Sequence, residues 1–273
     1  MENIVKKSNV TSDLAHKIRI SALKMTSEGG SSHIGSVFSI ADILGVLYGK
    51  FLRVFPDNPR AVARDRFVLS KGHAGAGVYA ALAHSGFFDV EELATHYSNG
   101  STLSGHISHK GVPGVEFSTG SLGHGLPVAV GMALALRNTN GNQKVVCLMS
   151  DGECGEGSNW EAFLFAGHHK LKNLIAIVDF NNLQSIKTVD ETLSLRPFGE
   201  KLKSFNWDVY EVDGHDHHAM IEALSLETNE RPRVLILNTI KGKGVSFMEN
   251  NVLWHYRTAR GEEYKAALDE LSF

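Results

Sequence analysis

Length, composition and charge exclude several classes of protein before any motif is considered. The chain has 273 residues, 42% hydrophobic and 21% charged, which is typical of a soluble globular protein. Its formal net charge of −3 provides no basic field to bind nucleic acid or an anionic membrane. It contains no run of 18 apolar residues, no secretory signal pattern, and too few cysteines for a disulfide framework. We therefore expect a cytoplasmic protein with neither a membrane nor a nucleic-acid partner.

Three helices and one strand are predicted in the first hundred residues. Apolar residues at helical spacing predict an amphipathic helix over residues 11–28, ended by Gly29-Gly30. A second helix is predicted over Ser39–Phe51, with Ser39 as its N-cap. A short strand, Arg66–Leu69, precedes an alanine-rich helix. The glycine-dense stretch 100–125 is too irregular for one element and unusually long for a loop without a function.

The remaining residues predict strand–helix–strand units. An apolar helix is predicted at about 127–137, a helix near His217–Ser225, and a last helix over Gly261–Leu271. One face of a further helix carries Trp160, Phe163, Leu164 and Gly167. The predicted strands are Lys144–Met149, Leu174–Val178, Trp207–Val212 and Val234–Ile240. This alternation predicts an α/β fold, a doubly wound, mostly parallel sheet with helices on both faces, with residues 1–273 forming a single domain.

Polar residues follow two neighbouring predicted strands where each strand ends. Asp151-Gly152 follows one strand, and Asn181 lies 30 residues further on, after the next. Parallel strands end at the same edge of a sheet, where ligands of such folds bind. A carboxylate and an amide oxygen suit a hard cation such as Mg²⁺, and Gly152 lets a phosphate approach the backbone. Taken singly, these residues are more typical of ordinary turns and loops, but together they favour a metal–diphosphate site.

Several motifs in order resemble the transketolase family, and more specifically the amino-terminal, diphosphate-binding half of transketolase found in two-subunit enzymes. The Asp151, Gly152 and Asn181 pattern resembles the thiamine diphosphate motif, although Ser150 replaces its usual first glycine. The other motifs are Gly30-Ser31-Ser32-His33-Ile34-Gly35, Ser70-Lys71-Gly72-His73-Ala74, Leu103-Ser104-Gly105-His106, Ser118 to Gly125 (STGSLGHG) and Trp254-His255. The resemblance covers nearly the whole chain.

The resemblance implies thiamine diphosphate as cofactor, with Mg²⁺ (or Ca²⁺ or Mn²⁺) as its metal. The implied metal ligands are the side chains of Asp151 and Asn181 and the backbone carbonyl of Leu183. The implied cofactor contacts are His73, Gly120, Ser121, Leu122, Gly152, Asn181 and His255. His33, His106 and His255 match histidines that hydrogen-bond the sugar substrate, a role suited to imidazole near neutral pH.

Other histidines and two lysines carry weaker expectations. Surface or core positions without a chemical role are expected for His16, His84, His96, His168 and His217. The sequence leaves the roles of His109 and His124 open, because the family often has glutamine at the second of these positions. Lys241 and Lys243 either approach the diphosphate or lie solvated in a loop.

The implied activity is transfer of a two-carbon ketol unit from a ketose to an aldose. The family glutamate that activates the pyrimidine ring belongs to the other half of the enzyme, and Glu156 and Glu161 do not match it. We therefore expect a partner subunit with the pyrimidine-binding domain, and an assembly with two copies of each chain. Two alternatives stay open: the alpha subunit of a 2-oxoacid dehydrogenase, and a noncatalytic binding module. The residues do not distinguish sugar, phosphosugar and sulfosugar substrates.

Overall fold

The computed structural model describes residues 2–139, 141–227 and 230–272, with side chains from residue 10 onward. Five parallel strands form its central sheet, in the order β1-β2-β3-β5-β4. The strands are β1 (Arg66–Leu69), β2 (Val145–Ser150), β3 (Leu174–Phe180), β4 (Asp208–Asp213) and β5 (Arg233–Asn238). Because all are parallel, their carboxyl ends lie at one edge of the sheet.

Helices connect these strands and extend beyond them. They are α1 (Glu2–Gly29), α2 (Ile34–Val46), α3 (Gly75–His84), α4 (Gly125–Asn138), α5 (Gly157–His168), α6 (Val189–Leu193), α7 (Phe198–Ser204), α8 (His217–Ser225) and α9 (Glu262–Leu271). Single turns of other helix types occur at Leu47–Phe51, Gly72–Ala74, Val90–Thr95, Gly152–Gly155 and Val252–His255.

The sheet separates two hydrophobic cores, because successive side chains of a strand point to opposite faces. Val146 and Leu148 of β2 pack into the first core with α1, α2, α3, α8 and α9. Cys147 and Met149 point the other way, into a second core with α4, α5 and α7. Each fully buried aliphatic side chain stabilises the fold by about 1.5–3 kcal/mol. The doubly wound α/β fold predicted from the sequence is confirmed.

Three details of the predicted helices are wrong. The first helix begins at Glu2, nine residues before the predicted start at residue 11. The second helix begins at Ile34 rather than after Ser39, and every residue of Ile34–Val46 is buried. A helix that is buried on all sides gives no amphipathic signal for its start, and buried Ser39 donates its hydroxyl to Asp179 instead of capping. On α5, Phe163 is buried, whereas Leu164 is 56% exposed and lies outside the packed face.

The helical segment Ile34–Phe51 has the length and apolar composition to cross a membrane, the one such segment among the described residues. Most of it, 83%, is buried inside the protein. It packs between α1 and α3 beside the sheet, and is therefore a core helix of this fold.

Candidate active site at the carboxyl edge of the sheet

A pocket of about 180 Å³ opens where four of the parallel strands end. Lys71 follows β1, Asp151 follows β2, Asn181 follows β3 and Lys241 follows β5, and all four line it. The rest of its lining is Ser36, His73, Leu122, Ser150, Gly152, Glu153, Leu183, Gln184, Ser185, His255 and Tyr256. The pocket thus occupies the edge at which α/β sheets bind ligands.

Asp151 lies at the floor of the pocket as a buried carboxylate. Its Oδ1 accepts a hydrogen bond from the Gly152 N–H (2.7 Å) and its Oδ2 from the Asn182 N–H (2.5 Å). Burial, together with the negative charge of Asp179, raises the pKa of Asp151 to about 7. The two N–H hydrogen bonds therefore do not fully offset the burial of this carboxylate. A cation beside it would lower its pKa and favour the ionised form.

Asn181 and Leu183 place two further oxygens beside Asp151. The Oδ1 of Asn181 accepts from the Leu183 N–H (3.0 Å), and its amide nitrogen donates to Asp179 (3.0 Å). The Leu183 carbonyl accepts from the Nζ of Lys241 (3.0 Å). Amide and carbonyl oxygens each keep a second lone pair, so carboxylate, amide and carbonyl together form an all-oxygen donor set that fits Mg²⁺ or Ca²⁺.

A buried ion pair lies beneath these oxygens. The Nζ of Lys71 is 2.5 Å from Oδ2 of Asp179, and both side chains are at most 1% exposed. Burial opposes ionisation of Asp179, but the Lys71 ammonium and the hydroxyls of Ser39 and Thr239 hold its pKa below the usual value. This lysine was not predicted from the sequence as a site residue, although it lies only two residues after a buried strand.

Lys241 is also buried in the pocket. Its ammonium donates to the carbonyls of Leu183 (3.0 Å) and Gln184 (3.1 Å) and to Nδ1 of His255 (2.9 Å). Burial and the neighbouring Lys71 charge lower its pKa to about 8. Of the two positions considered possible from the sequence, Lys241 therefore occupies the pocket, whereas the ammonium of Lys243 pairs with Glu249 at 3.5 Å.

Four histidines gather at the mouth of the pocket. The ring centroid of His33 lies 5.0 Å from that of His73, 4.9 Å from that of His255 and 5.8 Å from that of His106. Burial, with nearby positive charge, lowers the pKa of His33 to about 4, of His255 to about 3, and of His73 well below its usual value. At neutral pH these three rings are uncharged hydrogen-bonding groups.

Local geometry fixes the orientation of two of these rings. Because a lysine ammonium only donates, His255 accepts through Nδ1 and carries its hydrogen on Nε2. His33 adopts a left-handed backbone conformation (φ 74°) just before α2, and its N–H donates to the His255 carbonyl (3.0 Å). The two rings are thus tied together through the backbone.

The glycine-rich segment 118–125 lies along the pocket, held by a glutamate that was not predicted from the sequence as a site residue. Buried Glu153 accepts hydrogen bonds from the hydroxyl of Ser70, the Gly123 N–H (2.9 Å) and the Ser150 N–H (3.2 Å). Of the three predicted contacts in this segment, Leu122 lines the pocket, whereas Gly120 and Ser121 are exposed. The position of Glu153, two residues after Asp151, is the sequence signal that could have indicated it.

The remaining histidines lie outside the pocket. His109 is exposed and bonds Ser118 (2.7 Å), and exposed His124 bonds the Leu122 carbonyl (3.1 Å). His96 is fully buried in the core, where its Nε2 lies 3.0 Å from the Ser31 hydroxyl. His217 is bonded to buried Asp42, in agreement with the expected core position.

Apolar side chains are exposed around the mouth of the pocket. Ile186 is 82% exposed, Tyr256 63% and Leu253 53%, and Tyr256 also lines the pocket. Large apolar side chains exposed beside a pocket are a feature of interaction sites.

Sequence and structure comparisons identify the family. Residues 10–273 match the family described as transketolase, thiamine diphosphate binding domain. The chain is 41% identical to one of the subunits of apulose-4-phosphate transketolase from Phocaeicola vulgatus, over 94% of this chain and 92% of that protein. It is 39% identical to the 6-deoxy-6-sulfo-D-fructose transketolase subunit SqwG of Clostridium sp. (strain MSTE9), over 95% and 96%.

Larger relatives contain the same fold as one part of a longer chain. Human transketolase is 37% identical over 89% of this chain, which matches 39% of that protein. The crystal structure of transketolase from Campylobacter jejuni superposes with a TM-score of 0.90 at 32% identity, covering 97% of this chain and 43% of that one. This chain therefore spans about two fifths of the length of these larger relatives. It belongs to the transketolase family and is a thiamine diphosphate-binding subunit of that family.

Proposed function

We propose that this chain is one subunit of a two-subunit transketolase that moves a two-carbon ketol unit from a ketose to an aldose. In this proposal residues 1–273 form one domain that binds the metal–diphosphate end of thiamine diphosphate in the pocket. The observation that carries the proposal is the convergence of three oxygen donors and two buried lysines beneath four histidines at one sheet edge. The substrate is a sugar, a phosphosugar or a sulfosugar.

The metal and diphosphate would lie at the floor of the pocket. Asp151, Asn181 and the Leu183 carbonyl would hold Mg²⁺, and the incompletely stabilised Asp151 carboxylate supports that role. The Gly152 backbone and the ammonium of Lys241 would contact the diphosphate. A side chain at position 152 would crowd Gln184, since a Cβ built there lies 2.9 Å from its Cγ. Glycine thus keeps this approach open.

The histidines would bind both substrate and cofactor. His33, His106 and His255 would hydrogen-bond the sugar carbonyl and hydroxyls, while His73 and His255 would also contact the cofactor. The low pKa values of His33, His73 and His255 support a hydrogen-bonding role, because a neutral imidazole ring both donates and accepts. Gly120, Ser121 and Leu122 would lie against the cofactor rings through backbone groups. Bound thiamine diphosphate would supply the carbon chemistry itself.

A partner subunit would complete the active site. It would carry the pyrimidine-binding domain and the glutamate that activates the cofactor ring, and two copies of each chain would assemble around two sites. The exposed Ile186, Leu253 and Tyr256 around the pocket mouth support this interface. Two free, buried cysteines support a cytoplasmic location, where thiols stay reduced.

Activity with and without the partner tests this proposal. The purified chain is supplied with Mg²⁺, saturating thiamine diphosphate, a ketose donor and an aldose acceptor, alone and after co-expression with a candidate partner. We expect transfer only from the pair, together with tighter cofactor binding by linkage. Robust turnover by the chain alone would refute the two-subunit arrangement. Decarboxylation of an added 2-oxoacid by the pair, with an added artificial electron acceptor to take up the two electrons, would instead support the dehydrogenase alternative.

A further inference from the structure

Behind the pocket, a buried charge cluster joins three separate parts of the chain. It consists of Arg19 on α1, Asp42 on α2, His217 on α8, and His215 just before α8, and we call it the anchor cluster. The four side chains are only 11–14% exposed. Such a cluster requires complete hydrogen bonding to be tolerated inside a protein.

Asp42 is the centre of the anchor cluster and is fully paired. It accepts a bidentate pair of hydrogen bonds from Arg19 (3.0 and 2.6 Å). It also lies 2.7 Å from Nδ1 of His215 and 3.1 Å from Nε2 of His217. Although burial opposes its ionisation, these partners hold the pKa of Asp42 well below its usual value.

Two members of the anchor cluster also hold the loop that carries Lys241. Nε2 of His215 accepts from the Ile240 N–H (2.9 Å), and Nε of Arg19 donates to the Lys243 carbonyl (3.0 Å). Because Nε2 accepts, the hydrogen of His215 is on Nδ1, directed at Asp42. The cluster therefore holds the backbone on both sides of Lys241.

This loop needs external support because it has no regular structure of its own. Residues 241–244 form turns, with left-handed backbone at Gly242 (φ 85°) and Gly244 (φ 101°). Within it, the Lys241 ammonium must reach two carbonyls and His255 inside a buried pocket. A displacement of about 1 Å in such a site is enough to lose the hydrogen bonds.

We infer that His215 is a positioning residue: anchored by Asp42 and bonded to the Ile240 N–H, it sets the Lys241 ammonium in the pocket. The effect of His215 on diphosphate binding rests on the proposed function, whereas its effect on the position of the Lys241 ammonium does not. His217 offers a matched control. It has similar burial and also bonds Asp42, but its other nitrogen bonds Thr11 (2.8 Å) rather than the loop.

Acetylation of Lys241 tests the positioning directly, without any cofactor. The full chain is treated briefly with acetic anhydride, and modification is quantified by mass spectrometry relative to Lys265, which is 68% exposed. We expect His215→Phe to speed acetylation of Lys241 at least fivefold relative to the His217→Phe chain. His215→Gln retains an acceptor for the Ile240 N–H and should restore most of the protection. Equal acetylation of Lys241 in the two phenylalanine variants would overturn the inference.

Affinity for thiamine diphosphate with Mg²⁺ then separates this inference from the proposed function. The enzyme assembled with its partner should bind the cofactor at least fivefold more weakly with His215→Phe, and within twofold of wild type with His217→Phe. In a Lys241→Met background, His215→Phe should have no further effect, because its effect passes through Lys241. If His215→Phe weakened cofactor binding in the Lys241→Met background as much as it does in the wild type, the inference would be overturned. If Lys241→Met itself leaves affinity unchanged while the acetylation result holds, the proposed diphosphate contact fails and the positioning role stands.

Discussion

The pocket and the anchor cluster both hold a buried carboxylate. Only in the anchor cluster do charged and polar side chains of the protein itself pair that carboxylate completely. In the cluster, Asp42 has an arginine and two histidines as partners, and its pKa is held low. In the pocket, Asp151 has two backbone N–H groups, and its pKa is raised to about 7. One carboxylate is stabilised by the fold alone, and the other is stabilised only in part.

This difference separates structural from functional polar groups. A complete set of partners indicates that the protein itself is the partner, as for Asp42 in the anchor cluster. An incomplete set at a pocket indicates that something else completes it. We therefore expect substitutions in the anchor cluster to change mainly the stability of the protein, and substitutions in the pocket to change mainly ligand binding.

The largest effect on stability is expected from Asp42→Asn. Asparagine keeps the shape but removes the charge that balances Arg19, leaving a buried guanidinium unpaired. The free energy of unfolding should fall by about 3–5 kcal/mol. Urea unfolding of the full chain measures it. Asp190→Asn removes an exposed partner of Arg196 and should have far less effect, so equal losses would mean that the anchor cluster is not a stabilising unit.

Acid should destabilise the protein through buried His96, whose pKa burial lowers to about 4. The unfolded chain takes up this proton near pH 6.5, before the folded chain does, so stability is full above pH 6.5 and falls as pH drops toward 4. This histidine alone accounts for about 3 kcal/mol at pH 4.

Urea unfolding from pH 7 to pH 4 of wild type and His96→Gln isolates that contribution. Glutamine retains a group for the Ser31 hydroxyl but does not titrate. Raised pKa values of Asp151 and Glu153 act in the opposite direction in both proteins and cancel in the difference. Parallel stability curves for the two proteins would show that His96 does not titrate at the lowered pKa.

Much of the fold could be predicted from the sequence because the strands are apolar and regularly spaced. The predicted strands Lys144–Met149 and Leu174–Val178 agree with the observed ones within two residues at each end, since fully buried parallel strands form continuous β-branched runs. The start of α2 was mispredicted for the opposite reason. Its burial on all sides removes the polar face that marks a helix boundary in a sequence.

Part of the site was predicted from residues that follow strand ends and from histidines within motifs. Asp151, Asn181 and these histidines converge on one pocket or its mouth. The contributions of Lys71, Glu153 and His215 were not predicted, because they depend on partners 83 to 108 residues away or on a backbone N–H. Such long-range pairings are set by the packing of strands and helices, which local sequence patterns do not specify.

Substitution of the two histidines assigned to substrate alone should separate catalysis from cofactor binding. His106→Ala, and His33→Asn, which tolerates the left-handed backbone there, should lower the rate of ketol transfer about 100-fold while changing cofactor affinity little. His73→Ala and His255→Ala should weaken cofactor binding as well. Steady-state kinetics and calorimetry of the assembled enzyme measure the two quantities. A uniform response of all four variants would favour a structural role for these histidines.

The smallest effect, that of Asp151→Ala, bears most directly on the contrast between the two carboxylates. Loss of the proposed anionic metal ligand should weaken metal-dependent binding of thiamine diphosphate by the assembled enzyme at least tenfold, or about 1.4 kcal/mol. Stability of the cofactor-free chain should stay the same or rise, because the substitution removes a buried carboxylate that the fold stabilises only in part. Calorimetry with thiamine diphosphate and Mg²⁺, paired with urea unfolding of the chain alone, measures both. If affinity is unchanged and stability falls as it does for Asp42→Asn, then Asp151 belongs with the anchor cluster as a structural carboxylate, and the metal site lies elsewhere.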